Sequence, residues 1–120
     1  MSSWQDVVEI GSRLPGVQES TWWGTPGLKV AGKGFCRVRT EPEALVIRVL
    51  DLGDREALMR GQPDVFFITP HYKGFPYVLV RLELIGETEL AEMVEDAWRI
   101  NAPRRLVHDY DQSIEADATR

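Results

Sequence analysis

Two short runs of alternating residues, separated by a glycine-rich turn, constrain this chain most. Residues 27–31 and 35–40 alternate apolar with polar side chains on either side of Gly32-Lys33-Gly34. Such alternation is typical of strands with one buried face, and a short glycine-containing connection is typical of a hairpin. The sequence therefore predicts an antiparallel hairpin over these residues.

The same residues come within one position of the phosphate-binding P-loop pattern, in which Ser or Thr follows the lysine and a helix begins. Here Gly34 follows Lys33, and the next residues alternate as a strand does. No helix start is therefore predicted where a phosphate would have to bind. The hairpin is the preferred interpretation, and we expect no nucleotide here.

The remaining patterns predict the order helix, three strands, helix, two strands, helix. Further strands are predicted at 45–50, 64–68 and 76–82, and helices at about 3–14, 51–60 and 87–102. Short connections favour antiparallel pairing, with helices covering one sheet face. The predicted fold is α+β, an antiparallel five-stranded sheet with helices packed on it. Within the middle helix we expect Leu52, Leu58 and Met59 to be buried.

The length of 120 residues fits a single domain, predicted over residues 1–110, and residues 111–120 are expected to form a flexible acidic tail. The chain has no apolar run long enough for a membrane span, and residues 1–6 lack the pattern of a secretory signal peptide. It contains a single cysteine. These features predict a cytoplasmic location and no membrane partner. The net charge of −5 weighs against a general nucleic-acid binder, although residues 28–50 are locally basic.

Basic residues interrupt the predicted strands and are candidates for a nucleic-acid-binding site on the uncovered sheet face: Lys29, Lys33, Arg37, Arg39, Arg48 and Arg81. Alternation would place Phe35, Arg37 and Arg39 on one face. The candidate aromatic contacts are Trp22, Trp23, Phe35 and Tyr77. Such a surface would suit single-stranded nucleic acid or an acidic peptide. The plainer interpretation, which the low net charge favours, is a solvated face whose arginines pair with Glu43 or Glu83.

Catalytic and metal-binding patterns give no positive signal. Cys36 lies within a predicted strand, where a buried thiol is usually inert. His71 and His108, together with Cys36, do not have the spacing of metal ligands. We expect no catalytic residue, no metal and no cofactor.

Several segments together resemble the MmcQ/YjbR family: Leu14-Pro15-Gly16-Val17, Trp23-Gly-Thr-Pro26 with Leu28-x-Val30-x-Gly32-Lys33, His71-Tyr72, and Glu95-Asp-Ala-Trp-Arg99 with Ala102-Pro-Arg-Arg-Leu106. The resemblance covers about residues 3–110. It implies a small α+β domain of order α-β-β-β-α-β-β-α, similar in topology to type III secretion chaperones. Members are commonly labelled DNA-binding, and no enzyme reaction is implied.

Three functions stay open on these grounds. The first is a non-enzymatic binding domain for nucleic acid (DNA), and the second is a protein-interaction or chaperone-like module. The third is a small-molecule site between the sheet and the turn at residues 69–75. The candidate partners are therefore DNA or another protein, and the sequence does not predict an oligomeric state.

Overall fold

The structure, a computed structural model, describes residues 2–22 and 24–118. Within these residues, six strands form one antiparallel sheet in the order β1-β2-β3-β4-β6-β5. The strands are β1 Val17–Trp22, β2 Thr25–Val30, β3 Lys33–Arg39, β4 Ala44–Arg48, β5 Phe66–Phe67 and β6 Tyr77–Val80. The predicted α+β class with an antiparallel sheet is confirmed.

The helices are α1 Trp4–Ser12, α2 Leu52–Gly61, α3 Glu87–Asn101 and α4 Arg104–Ala118, and a 3₁₀ helix spans Pro70–Tyr72. A capping box begins α1: the Ser3 hydroxyl accepts from the Asp6 main-chain N–H, and the Asp6 carboxylate accepts from that of Ser3. None of the described helices is long and apolar enough to cross a membrane.

The expectation of five strands was wrong by one, because β1 has a weak sequence signal. Its residues Val17–Trp22 read VQESTW, in which polar side chains outnumber apolar ones. The strand lies at the sheet edge and pairs only with β2. An edge strand does not need the alternating apolar pattern of a strand inside a sheet, and so it was missed.

One sheet face carries the main core. The register aligns Leu28, Cys36, Ile47 and Val78 across four neighbouring strands, and all four are buried. They pack with residues of α1 and α3, including the fully buried Trp98. The helices thus cover this face, as predicted, and leave the opposite face of the sheet for other contacts.

The chain continues as a helix where the sequence predicted a tail. Residues 111–118 belong to α4, which is tied to α3. Arg99 donates to the Asp111 carboxylate at 2.8 and 3.2 Å, and the Tyr110 hydroxyl donates to Glu95. The Tyr110 ring meets Trp98 edge-on at 5.2 Å. These contacts join α3 and α4, and no local sequence pattern predicts them. The flexibility of residues 111–120 stays a prediction.

Acidification is expected to loosen the end of α4. The hydrogen bond from Arg99 holds the pKa of Asp111 below its usual range. A lowered carboxyl pKa contributes stability above the unfolded-state pKa of about 4, and that contribution is lost as the pH falls through the lower, folded value. The protection factors of the α4 amides, taken relative to the intrinsic exchange rate at each pH, should therefore fall below about pH 4 in the native protein. In Asp111→Asn the protection factors of the α4 amides should be lower at neutral pH and should change less with pH. Equal protection in both proteins at pH 7 would contradict the tether.

Candidate anion-binding pocket on the open sheet face

The sheet face turned away from the helices carries Arg37 and Arg39. The register places Arg37 beside Gly27 of β2 and Val46 of β4, and Arg39 beside Ala44 of β4. Gly27 has no side chain and Ala44 has only a methyl group, so both long side chains have room over the sheet. Residues two positions apart on a strand are about 7 Å apart along it. The two guanidinium groups can therefore serve one site.

A short segment, residues 69–75, covers part of this face. Its Tyr72 packs in a small apolar cluster with Val46 and Leu79 and is 7% exposed. The Tyr72 hydroxyl accepts a hydrogen bond from Arg37 Nη2 at 2.7 Å, and Arg37 Nη1 donates to the Thr25 hydroxyl at 3.4 Å. The sheet and the covering segment together fix the orientation of the Arg37 guanidinium.

Arg55 of α2 anchors the covering segment. It is 3% exposed, and its guanidinium donates to the main-chain oxygens of Tyr72 at 2.7 Å, Lys73 at 2.8 Å and Phe75 at 2.8 Å. Sequence reasoning missed this residue and expected Leu52 to be buried in the same helix, which was wrong because Leu52 is 41% exposed. Apolar periodicity gives no signal for a buried arginine that binds main-chain oxygens.

Between the sheet and the covering segment lies a cavity of about 340 Å³, here called the open-face pocket. Its lining residues carry hydroxyl, guanidinium or imidazole groups: Thr25, Arg37, Arg39, Thr40, Thr69, His71 and Tyr72. None of these described residues is acidic. Charge-assisted donors of this kind bind phosphate or carboxylate oxygens most strongly. The pocket lies where the sequence left a small-molecule site open.

Two buried polar atoms of the lining have no hydrogen-bond partner within the described chain: Arg39 Nε and Thr69 Oγ1. Arg39 Nη2 does donate to the main-chain oxygen of Glu41 at 3.2 Å. A buried polar atom without a partner costs about 1–3 kcal/mol, and each one in a native structure needs an explanation. The two side chains line the pocket, although these atoms themselves are shielded from it.

The other four basic candidates do not line the open-face pocket. Lys29 is half-buried on β2, and Lys33 is exposed at the start of β3. Arg48 instead lines a separate cavity of about 490 Å³ that also includes Asp54 and Asp96. The lining of that second cavity therefore carries charges of both signs, which does not favour an anion.

Arg81 lies toward the β5 edge of the sheet, away from the pocket. Its guanidinium stacks on the Phe67 ring, 4.1 Å from the ring centroid, and donates to the main-chain oxygen of Asp64 at 3.0 Å. Phe67 is on β5, three strands from β3 in the sheet. At about 4.8 Å per strand, roughly 14 Å separates it from the two pocket arginines. The six basic residues thus form no continuous stripe.

The aromatic candidates divide in the same way. The prediction that Phe35 lies on the same face as Arg37 and Arg39 was wrong. Phe35 is 0% exposed and belongs to the main core on the helix-covered face. The reason is a bulge, since Leu28 pairs with Cys36 but Lys29 pairs with Gly34, which leaves Phe35 as an extra residue on β3 and breaks the alternation. Tyr77 lies on the open face beside Tyr72. The Trp22 side chain and the whole of Trp23 lie outside the described residues.

Pairing with Glu43 or Glu83 does not account for Arg39. Among the residues that the structure describes, the ion pairs within 4.0 Å involve Arg55 and Arg99. Cys36 is buried, and burial raises the pKa of its thiol far above the usual range, so the reactive thiolate is disfavoured. No three His, Cys, Asp or Glu side chains of the described chain are grouped to hold a metal ion.

These features define a small α+β domain with helices on one face of an antiparallel sheet and a cationic pocket on the other. A family model described as YjbR matches residues 12–100, and the chain belongs to the YjbR family. The resemblance predicted from the sequence is thereby confirmed.

Similar proteins carry names that assign no activity. "Uncharacterized protein Rv2570" of Mycobacterium tuberculosis (strain ATCC 25618 / H37Rv) and "Uncharacterized protein Mb2600" of Mycobacterium bovis are each 36% identical over 121 residues, covering 89% of this chain and 94% of the relative. The crystal structure of Deinococcus radiodurans protein DR2400, with domain DUF419, matches with a TM-score of 0.68 and 21% identity. It covers 82% of this chain and 77% of that chain, and at this identity it supports the fold alone.

Proposed function

We propose that this protein is a non-enzymatic binding domain for single-stranded nucleic acid, and that the open-face pocket holds a phosphate group. The observation that carries the proposal is the pair of buried, unpartnered polar atoms on Arg39 and Thr69 in a lining without carboxylates. Both atoms are shielded from the pocket in this structure, so the proposal requires the two side chains to shift toward a bound phosphate. The proposal includes a cytoplasmic location and needs no cofactor.

Two exposed rings beside the pocket support nucleic acid over a simple anion. His71 lines the pocket, and its ring stacks with that of Phe75 at 6.3 Å between centroids and an interplanar angle of 27°. Phe75 is 55% exposed. Bases stack on exposed aromatic rings with about 1–3 kcal/mol per base in single-strand-binding proteins. A nucleotide could thus place its phosphate in the pocket and its base against Phe75.

Replacing both pocket arginines is expected to remove binding. Fluorescence anisotropy of a labelled single-stranded DNA oligonucleotide should show binding at low salt that weakens as salt rises, because phosphate contacts release counterions. In Arg37→Ala with Arg39→Ala the affinity should fall at least about 150-fold, since charge-assisted hydrogen bonds contribute about 1.5–3 kcal/mol each.

The matched control is Arg104→Ala with Arg105→Ala. It removes the same two charges at exposed positions at the start of α4, on an element of the helix-covered side. The control should lose affinity only to the extent that net charge matters. Equal losses in the two double variants would show that charge alone, rather than the pocket, accounts for binding. An absence of binding at low salt would refute the function itself.

The alternative function, a protein-interaction module, is favoured by one observation. Leu50, Leu52 and Phe75 are 64%, 41% and 55% exposed, and the hydrogen bond from Val49 N to Pro76 O joins the segments that carry Leu50 and Phe75. Exposed apolar groups that lie close together mark surfaces for partners. This alternative would take over if no oligonucleotide bound.

A further inference from the structure

If the proposed function holds, the distribution of donors around the open-face pocket indicates which kind of phosphate group the pocket binds. The donor-bearing residues belong to three elements: Arg37 and Arg39 to β3, Thr25 to β2, and Thr69 and His71 to the covering segment. An internal phosphodiester has two free oxygens and one negative charge. A terminal phosphate has three free oxygens and a charge of about −1.5 to −2 at pH 7. A lining with donors from three elements suits the three free oxygens of a terminal phosphate better than the two of a phosphodiester.

The surroundings of the pocket lead to the same conclusion. A protein that follows an internal stretch of single strand needs a basic groove along the backbone. Here Arg48 lines a different cavity together with acids, and Arg81 is held against Phe67 and the Asp64 main chain. The pocket is thus a separate cationic site and not part of a basic groove that follows the backbone.

We propose that the open-face pocket recognises a phosphate monoester at the end of a nucleic-acid strand, and that the stacked rings of His71 and Phe75 contact the adjoining nucleotide. Recognition of strand ends goes beyond nucleic-acid binding as such, although it rests on that function. The Thr69 hydroxyl and Arg39 Nε, both shielded in this structure, are assigned to the terminal phosphate oxygens once the two side chains shift toward the ligand.

The test uses one short single-stranded DNA sequence, labelled internally and prepared in three forms: with a 5′-phosphate, with a 3′-phosphate, and with hydroxyl groups at both ends. At physiological salt, one of the phosphorylated forms should bind at least about tenfold more tightly than the hydroxyl form, as one additional charge-assisted contact gives. Inorganic phosphate should compete with that form. Thr69→Val should reduce the preference severalfold, whereas Thr88→Val, at an exposed position of α3, should leave it unchanged.

The outcomes separate the two proposals. Equal binding of all three forms, still lost in the double variant of Arg37 and Arg39, would overturn end recognition and keep nucleic-acid binding. No binding of any form at low salt would overturn both. A phosphoserine peptide that binds as tightly as the phosphorylated DNA would show that the pocket recognises phosphate monoesters of another macromolecule, and the nucleic-acid part would be withdrawn.

Discussion

Replacing Arg55 by alanine is expected to lower the free energy of unfolding by about 3–5 kcal/mol, the range typical of breaking a buried charged interaction. Three main-chain oxygens, of Tyr72, Lys73 and Phe75, lose their donor at once. Each bond to a charged donor contributes about 1.5–3 kcal/mol, and some of that loss is recovered where water reaches the freed oxygens. The remainder makes this the largest effect expected from a polar residue of this chain.

Urea unfolding followed by circular dichroism measures the loss. Arg60→Ala is the matched control because it removes the same side chain from an exposed position of the same helix, and it should change stability by no more than about 0.5 kcal/mol. Arg55→Lys should resemble the alanine variant, since an ammonium cannot reproduce the spread of donors on Nη1 and Nη2.

The same substitution should also affect the pocket. Arg55 holds the segment that carries Thr69, His71 and Tyr72, so its loss should speed amide exchange in residues 69–75 before the rest of the sheet. Affinity for oligonucleotide should fall even where the variant remains folded. A stability change below about 1 kcal/mol with unchanged exchange would show that other contacts hold this segment.

Most of the sheet could be predicted from local pattern. The alternation in residues 27–31 and 35–40 locates the central hairpin, and apolar periodicity locates α3. The elements that these patterns did not predict depend on contacts between distant residues. The edge strand β1 is paired by β2 alone, and the last part of α4 is tied to α3 through Arg99 and Asp111. Neither contact leaves a periodic signal in the sequence.

Only part of the candidate site could be predicted from the sequence, because the rest also depends on contacts between distant residues. Alternation placed Arg37 and Arg39 on one face, but the bulge at Leu28 and Lys29 moved Phe35 to the other. The pocket itself depends on residues 69–75 folding back over the sheet, and that placement depends on Arg55. A segment held by main-chain hydrogen bonds to one buried guanidinium cannot be positioned from residue type and spacing.

Replacing Trp98 by alanine is expected to cost about 3–5 kcal/mol, the range for removing a large buried aromatic side chain. Trp98 of α3 is 0% exposed, and it contacts α4 and the segment after α1. Its Nε1 donates to the main-chain oxygen of Pro15 at 2.9 Å, and its ring meets Tyr110 of α4 at 5.2 Å. The substitution therefore removes packing and a part-buried hydrogen bond together.

Trp98→Phe separates the two contributions, because phenylalanine keeps most of the ring volume but cannot donate to Pro15. It should cost about 1–3 kcal/mol, as expected for a part-buried carbonyl left without its donor. Ile114→Ala, at a position of α4 that is 43% exposed, is the control and should change stability by no more than about 0.5 kcal/mol. Unfolding is followed by circular dichroism, since the substitution alters tryptophan fluorescence. If the phenylalanine variant lost as much as the alanine variant, the hydrogen bond to Pro15 would outweigh the packing. If neither lost more than the control, Trp98 would not be the residue that joins α3 to α4 and to the segment after α1.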